Sequence, residues 1–192
     1  MRIIAGQYRG RPLKTLKGSN TRPTTDRVRE ALMSSLYSAR GGFEGACVLD
    51  AFAGSGALGL ECLSRGASFC LFCEQDSQAQ RIISQNIATL RIAKGCYLLR
   101  KGDTFSLPQS TTRVFDLLFF DPPYAFEAQL IADLLLQLDE AGCIAENALI
   151  CYEHAKKDTS AVIQAMDALK YVQVSHKNYG DTSLITLRKE RK

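Results

Sequence analysis

From Ala46 onward, short apolar runs alternate along the chain with amphipathic stretches of helical spacing. Cys47 to Asp50, Phe69 to Glu74, Cys96 to Arg100, Phe115 to Asp121 and Asn147 to Glu153 read as strands. Between them lie four helical stretches: one running to about Arg65, one capped by Asp76 and running to about Leu90, Glu127 to Asp139, and Thr159 to Leu169. Strands alternating with helices of this length predict an α/β fold whose mostly parallel sheet is covered on both faces. Tyr171 to Ser175 and Ser183 to Leu187 are separated only by the turn Asn178 to Thr182. With no room for a crossover helix, they predict an antiparallel hairpin at one edge.

Residues 1 to 30 carry eight basic side chains against Asp26 and Glu30, and residues 188 to 192 carry four against Glu190. With a net charge of +4 for the whole chain, the body between these ends is acidic. Basic ends on an acidic body predict a polyanion approaching one part of the molecule. Residues 1–25 read as a basic N-terminal extension, a weakly packed strand or hairpin, and residues 26–192 as the main domain. Thr25 or Asp26 caps a helix that ends at Gly41-Gly42. At 192 residues and 46% hydrophobic content, a single globular domain is expected. No apolar run approaches the ~18 residues of a membrane span, and Met1 to Gly6 lacks the apolar core of a signal peptide, so a cytoplasmic protein is expected; a monomer is expected as well. Seven cysteines in apolar surroundings predict reduced, buried thiols. Cys70 and Cys73 have no second pair at zinc spacing, so no metal site is expected.

The apolar run Leu117 to Phe120 stops at Asp121-Pro122-Pro123-Tyr124. Two prolines forbid ladder bonding and fix φ near −65°, so the chain must leave the sheet as a stiff bend. The bend presents a carboxylate, the Pro122 carbonyl and an aromatic ring. That set suits a flat substrate bearing an amine: the oxygens accept from the NH2 and the ring stacks on its face. Asp50, Glu74, Asp103 and Asp121 all fall at or just past the carboxyl ends of the first four strands, where open α/β sheets place ligands. Gly54-Ser55-Gly56-Ala57-Leu58-Gly59 fits the G-x-G-x-x-G pattern of dinucleotide sites, with Glu74 twenty residues on. Asp50 at the mouth of that loop would repel a pyrophosphate and attract a sulfonium or ammonium group. The sign of the charge therefore favours S-adenosyl-L-methionine over NAD.

Asp50-Ala51-Phe52-Ala53-Gly54-Ser55-Gly56, Glu74, Gly102-Asp103 and Asp121-Pro122-Pro123-Tyr124 together resemble the class I S-adenosylmethionine-dependent methyltransferases that modify exocyclic amines. Arg2-Ile3-Ile4-Ala5-Gly6-Gln7-Tyr8-Arg9-Gly10-Arg11, Arg22-Pro23-Thr24-Thr25-Asp26-Arg27-Val28-Arg29-Glu30 and Tyr179-Gly180-Asp181-Thr182 are similar to motifs of the RsmD family, which methylates N2 of a guanine in small-subunit (16S) ribosomal RNA. Tyr8 stands where that family's pattern has Trp, and Ala51 where a larger apolar residue is common. The resemblance implies a Rossmann-like, seven-stranded sheet closed by an antiparallel hairpin. It implies that Asp50 faces the methionine end of the cofactor, with Ala51, Phe52, Ala53, Gly54, Ser55 and Gly56 forming the loop around it. Glu74 would hold the ribose and Gly102-Asp103 the adenine. Asp121 and Pro122 would hold the target amine, with Pro123 shaping the turn and Tyr124 stacking on the base. Arg9, Arg11, Arg22, Thr24, Arg27 and Arg29 would bind RNA, in an assembled or assembling small ribosomal subunit. The alternatives are an adenine-N6 DNA or protein-glutamine methyltransferase, and a non-catalytic RNA-binding assembly factor that has kept the fold.

Overall fold

The computed structural model of the protein describes residues 1–16 and 26–190. The strands form a seven-stranded sheet in the order β3-β2-β1-β4-β5-β7-β6, and the chain divides into two compact units, Met1–Thr104 and Phe105–Lys192.

In the first unit β1 (Cys47–Asp50), β2 (Phe69–Glu74) and β3 (Tyr97–Lys101) run parallel, with Cys47 opposite Phe69 and Cys70 opposite Tyr97. Three helices accompany them: α1 (Asp26–Arg40), α2 (Ala57–Ser64) and α3 (Ser77–Leu90). α3 buries Ala79, Ile82, Ile83, Ile87 and Leu90 along one stripe at helical spacing, and its start is fixed by Asp76, whose Oδ1 accepts from the Ala79 N–H at 2.7 Å. α2 has no such stripe because it is covered all round, with every residue from Gly59 to Ser64 buried. Gly59 lets it lie close to the sheet, since a Cβ there would come within 2.4 Å of Cys70 Sγ and of the Phe72 ring.

The second unit holds β4 (Phe115–Phe120), α4 (Ala128–Glu140), β5 (Ile144–Ala155), α5 (Thr159–Asp167), β6 (Val172–Tyr179) and β7 (Thr182–Arg188). β4 and β5 are parallel, while β5 pairs antiparallel with β7 and β7 antiparallel with β6. The expected C-terminal hairpin is present, with a tighter turn than the sequence suggested, Gly180-Asp181. β5 starts three residues before the expected Asn147. Phe115 lies opposite Ile144 but Leu117 opposite Leu149, so extra residues bulge from β5, and Asn147 turns through a left-handed φ of 62° within the bulge. β6 extends through His176-Lys177-Asn178-Tyr179, a polar stretch that an edge strand tolerates because its residues are mostly exposed.

Residues 1–16 are not weakly packed. They fold as a small hairpin bridged at Arg2 and Pro12, with Ile3 and Leu13 buried. Buried side chains of α2 and α3 grip its backbone. Glu61 is completely buried, and its two oxygens accept from the N–H groups of Ile4 and Ala5 at 2.9 and 3.0 Å. Ser64 Oγ accepts from Tyr8 N–H at 3.0 Å and donates to the Ala5 carbonyl at 2.6 Å. The hairpin therefore folds as part of the first unit rather than as a loose appendage.

Candidate active site

In the first unit the residues expected around a cofactor lie at the carboxyl ends of β1, β2 and β3, and hydrogen bonds knit them together. β1 ends at Asp50, and the loop Ala51–Gly56 leads into α2. Gly54 and Gly56 both take left-handed φ values, 54° and 77°. A Cβ on Gly54 would meet nothing within 4 Å, so the loop presents bare backbone to open space there. Glu74 braces this loop: Oε2 accepts from the Gly54 N–H at 2.8 Å, and Oε1 from the Asp76 N–H at 2.8 Å. A carboxylate has about four acceptor sites, so capacity remains for two ribose hydroxyls. The Glu74 carbonyl accepts from Gly102 N–H at 3.0 Å, and exposed Asp103 follows. The Thr104 hydroxyl donates to the Ala51 carbonyl, and Ala53 N–H donates to the Cys73 carbonyl at 3.0 Å.

Asp50 is more enclosed than the sequence suggested. It is 2% exposed, and its Oδ2 accepts from the Gly59 N–H at 3.0 Å, so the carboxylate braces the first turn of α2. Its charge remains beneath the loop, where it favours a cationic ligand over a pyrophosphate. With an open backbone loop, an acid at the end of β2 with acceptor capacity to spare and no basic residue among Asp50–Gly56, these residues fit S-adenosylmethionine.

In the second unit β4 delivers Asp121, half-buried, onto the Pro122-Pro123 bend. Burial pushes the Asp121 carboxyl up to about 6, and its carboxylate accepts no hydrogen bond among the described residues. Pro122 is buried, and the Phe126 N–H donates to the Pro123 carbonyl at 3.0 Å, closing a turn. The Tyr124 ring is 51% exposed, while its hydroxyl is tied to Thr182 Oγ1 at 2.9 Å. The ring is thus presented to solvent yet anchored at its tip. Pro122, Pro123 and Tyr124 line a cleft of about 530 Å3, with Tyr152 and His154 from β5 and Val162 from α5 on its other walls. His154 is buried and held neutral by desolvation, and its Nδ1–H donates to the Ala155 carbonyl at 3.0 Å.

The basic residues divide. Arg9 and Arg11 are exposed on the N-terminal hairpin, where the Arg11 guanidinium lies 5.5 Å from the centre of the Tyr8 ring. Arg27 is exposed on α1. Arg29 departs from its expected role, being 1% exposed. Its guanidinium donates to Asp26 Oδ1 at 3.0 Å and to the Arg2 carbonyl, and lies 3.9 Å from Glu61. It therefore holds the hairpin against α1 and α2 and presents nothing to a phosphate. Arg22 and Thr24 lie outside the described residues.

Sequence reasoning missed Glu61, Asn86 and His154. Asn86 has a detectable signal: it is a polar residue on the buried stripe of α3, 1% exposed. Glu61 gives none, because all of α2 around it is apolar or small and no periodicity marks a polar face. Cys70 and Cys73 are both buried within β2. Among the described residues no group of His, Cys, Asp and Glu has a metal-holding arrangement, and no helix is long and apolar enough to cross a membrane.

The family profile described as conserved hypothetical protein 95 matches residues 1–188. Ribosomal RNA small subunit methyltransferase D of Escherichia coli (strain K12) is 38% identical over 153 residues, 80% of this chain and 74% of that protein. YlbH of Bacillus subtilis (strain 168) is 37% identical over 159 residues, 82% of this chain and 84% of that one. The solved structure of yhhF from Escherichia coli superposes with a TM-score of 0.82 at 30% identity, covering 100% of this chain and 99% of the other. The sheet order and the antiparallel hairpin are those of the class I S-adenosylmethionine-dependent methyltransferase fold, and the chain belongs to the conserved hypothetical protein 95 family, the RsmD family.

Proposed function

We propose that the protein transfers a methyl group from S-adenosyl-L-methionine to the exocyclic N2 of a guanine in small-subunit ribosomal RNA. One observation carries the acceptor half. Asp50 and Glu74 are both engaged by backbone N–H groups, whereas Asp121 bears the desolvation of its site with no hydrogen bond among the described residues. A carboxylate held in that state on a rigid bend is an acceptor waiting for a donor. The names of the relatives, ribosomal RNA small subunit methyltransferase D among them, support ribosomal RNA as the polymer that brings the donor.

When bound, S-adenosylmethionine supplies an electrophilic methyl group on a sulfonium. Glu74 would accept from the ribose hydroxyls and Asp103 from the adenine amino group, and the bare loop at Gly54 would allow close approach. The lone pair of guanine N2 is delocalised into the ring, which makes it a poor nucleophile. Asp121 and the Pro122 carbonyl would accept from its N–H groups, fix the orientation of its lone pair and stabilise positive charge as it develops on nitrogen. Tyr124 stacks on the base, which must be unpaired or flipped from its stack to reach the cleft. After transfer Asp121 takes the proton. Positioning and charge stabilisation therefore do most of the work, and Asp121 must be ionised before the base arrives.

The test uses labelled S-adenosylmethionine and small ribosomal subunits from a strain lacking the enzyme, followed by mapping of the modified nucleotide. Label on N2 of a single guanine is expected, and label on an adenine or on protein would overturn the assignment. Asp121→Ala should lose transfer by several orders of magnitude while calorimetry still records cofactor binding. An Asp121→Ala protein with near-normal turnover sinks the acceptor role.

A further inference from the structure

We infer that Asn86 is a positioning residue that couples the N-terminal hairpin to the glycine loop, so that RNA on the first and S-adenosylmethionine on the second strengthen each other's binding. The inference rests on the assignment, made above, of the loop to the cofactor and of the hairpin to RNA.

Asn86 stands on α3 between the two stations and touches both. Its Oδ1 accepts from the Lys14 N–H at 2.8 Å, and its Nδ2 donates to the Lys14 carbonyl at 3.1 Å and to the Ser55 carbonyl at 2.9 Å. At 1% exposure it has no solvent to replace these partners. Both amide hydrogens are used, one on each station, and the oxygen adds a second hold on Lys14. A buried amide needs partners, but any nearby carbonyl would meet that need. The specific consequence of this pairing is that the backbone at Lys14 and the backbone at Ser55 are held by the same side-chain plane, so a shift of one strains the bond to the other.

Both partners stand where a ligand acts. Ser55 lies between Gly54 and Gly56, two residues in the left-handed region, and the loop has few other braces. Beside Ser55 these are Glu74 at Gly54 N–H and the 2.6 Å bond from Gly56 N–H to the Ala53 carbonyl, with Thr104 and the Cys73 carbonyl holding Ala51 and Ala53 at the start of the loop. Lys14 ends the hairpin that exposes Arg9 and Arg11, and its own ammonium reaches Gln85 Oε1 on α3 at 3.0 Å. Phosphates that immobilise this hairpin fix Lys14, and through Asn86 they fix the Ser55 carbonyl in the shape a cofactor needs. The ordering is then incurred once for two ligands, which is positive coupling without a large structural change. By linkage the effect is reciprocal.

The measurement is the affinity for labelled S-adenosylhomocysteine, which binds without turnover, with and without saturating small ribosomal subunits from a strain lacking the enzyme. The affinity for subunits is measured in the same way with and without S-adenosylhomocysteine. In the wild-type protein each ligand should tighten the other by the same factor, about 5-fold or more. Asn86→Asp keeps the acceptor for Lys14 N–H and removes both N–H donations, so this factor should fall to about one while each ligand still binds alone. Lys14→Pro removes the N–H that Asn86 accepts from and leaves the Ser55 bond intact. With only the Lys14 carbonyl left to Asn86, the coupling factor should fall, and the variant serves if Asn86→Asp folds poorly. A wild-type factor of one overturns the inference, as does a factor that survives both substitutions while the separate affinities fall together. A wild-type protein that neither binds S-adenosylhomocysteine nor methylates subunits overturns the assignment beneath it, a result distinct from binding without coupling.

Discussion

Asp121 is placed against its own stability. A carboxyl raised from 3.8 to about 6 by burial is one the fold would rather keep protonated. The stability linked to this group is fully present below about pH 4 and is lost as pH rises through about 6. Asp121→Asn does not titrate, so its melting temperature should gain on that of the wild type between pH 4 and pH 7. The gain should level off above, on the order of 2 kcal/mol or several degrees. Thermal melts of both proteins across that range check the sign, and a constant difference would show that desolvation at Asp121 is not the cause. On the proposed acceptor role, the wild-type rate should decline as pH drops through about 6, because a protonated Asp121 would lose acceptor capacity toward the target amine. At this scale the sequence was informative where residue order fixes a position in the fold, as at the cap Asp76, at Glu74 ending β2, and at the Pro122-Pro123 bend just past β4. It was uninformative where burial decides the role. Arg29 sits in a run of arginines indistinguishable from its neighbours, and only the packing against Glu61 and Asp26 makes it structural.

The N-terminal hairpin and α2 act as a pair, and among their contacts one approach leaves no room for a side chain. Gly6 has φ 84°, and a Cβ placed on it would lie 1.8 Å from the Ser64 carbonyl oxygen, the acceptor for Gln7 N–H at 2.8 Å. Backbone cannot yield that distance, so Gly6→Ala should lift the hairpin from α2. Trypsin then cleaves after Arg9 and Lys14 much faster than in the wild type, while β1 to β3 stay protected. Mass spectrometry of timed digests reads this directly, and unchanged cleavage would mean that the hairpin does not depend on the Ser64 contact. Elements with a clear period, such as α3 and the strand-helix alternation, were legible in advance. The hairpin's existence was legible too, but its firm packing was not, because it comes from buried side chains on α2 and α3, Glu61, Ser64 and Asn86, far away in sequence. The β5 bulge was hidden for a related reason: Ile144 and Leu149 each suit a strand, and only pairing with β4 shows that the residues between them are extra.

Across the whole chain, charge is segregated more strongly than the net value of +4 suggests, with eight basic side chains in the first 30 residues. Burial of Arg29 removes one from the set able to meet a phosphate, and Arg2, Arg9, Arg11, Lys14 and Arg27 remain exposed among the described residues. An RNA approaching this end meets a field that opposes the acidic body, which steers association and makes it depend on salt. Each neutralised phosphate on a single strand contributes a slope of ~0.7 in the logarithm of affinity against that of salt. Arg9→Glu with Arg11→Glu should therefore weaken subunit binding and flatten the slope by about 1.4 if each arginine meets one phosphate. S-adenosylhomocysteine affinity in the absence of RNA should stay within about twofold, because neither side chain reaches the loop. Arg29→Glu behaves differently: it places a second carboxylate against buried Glu61 and should fail by unfolding the hairpin rather than by a change of slope. Filter binding over a salt series separates these outcomes, and a double variant with the wild-type slope would assign Arg9 and Arg11 to solvated surface alone.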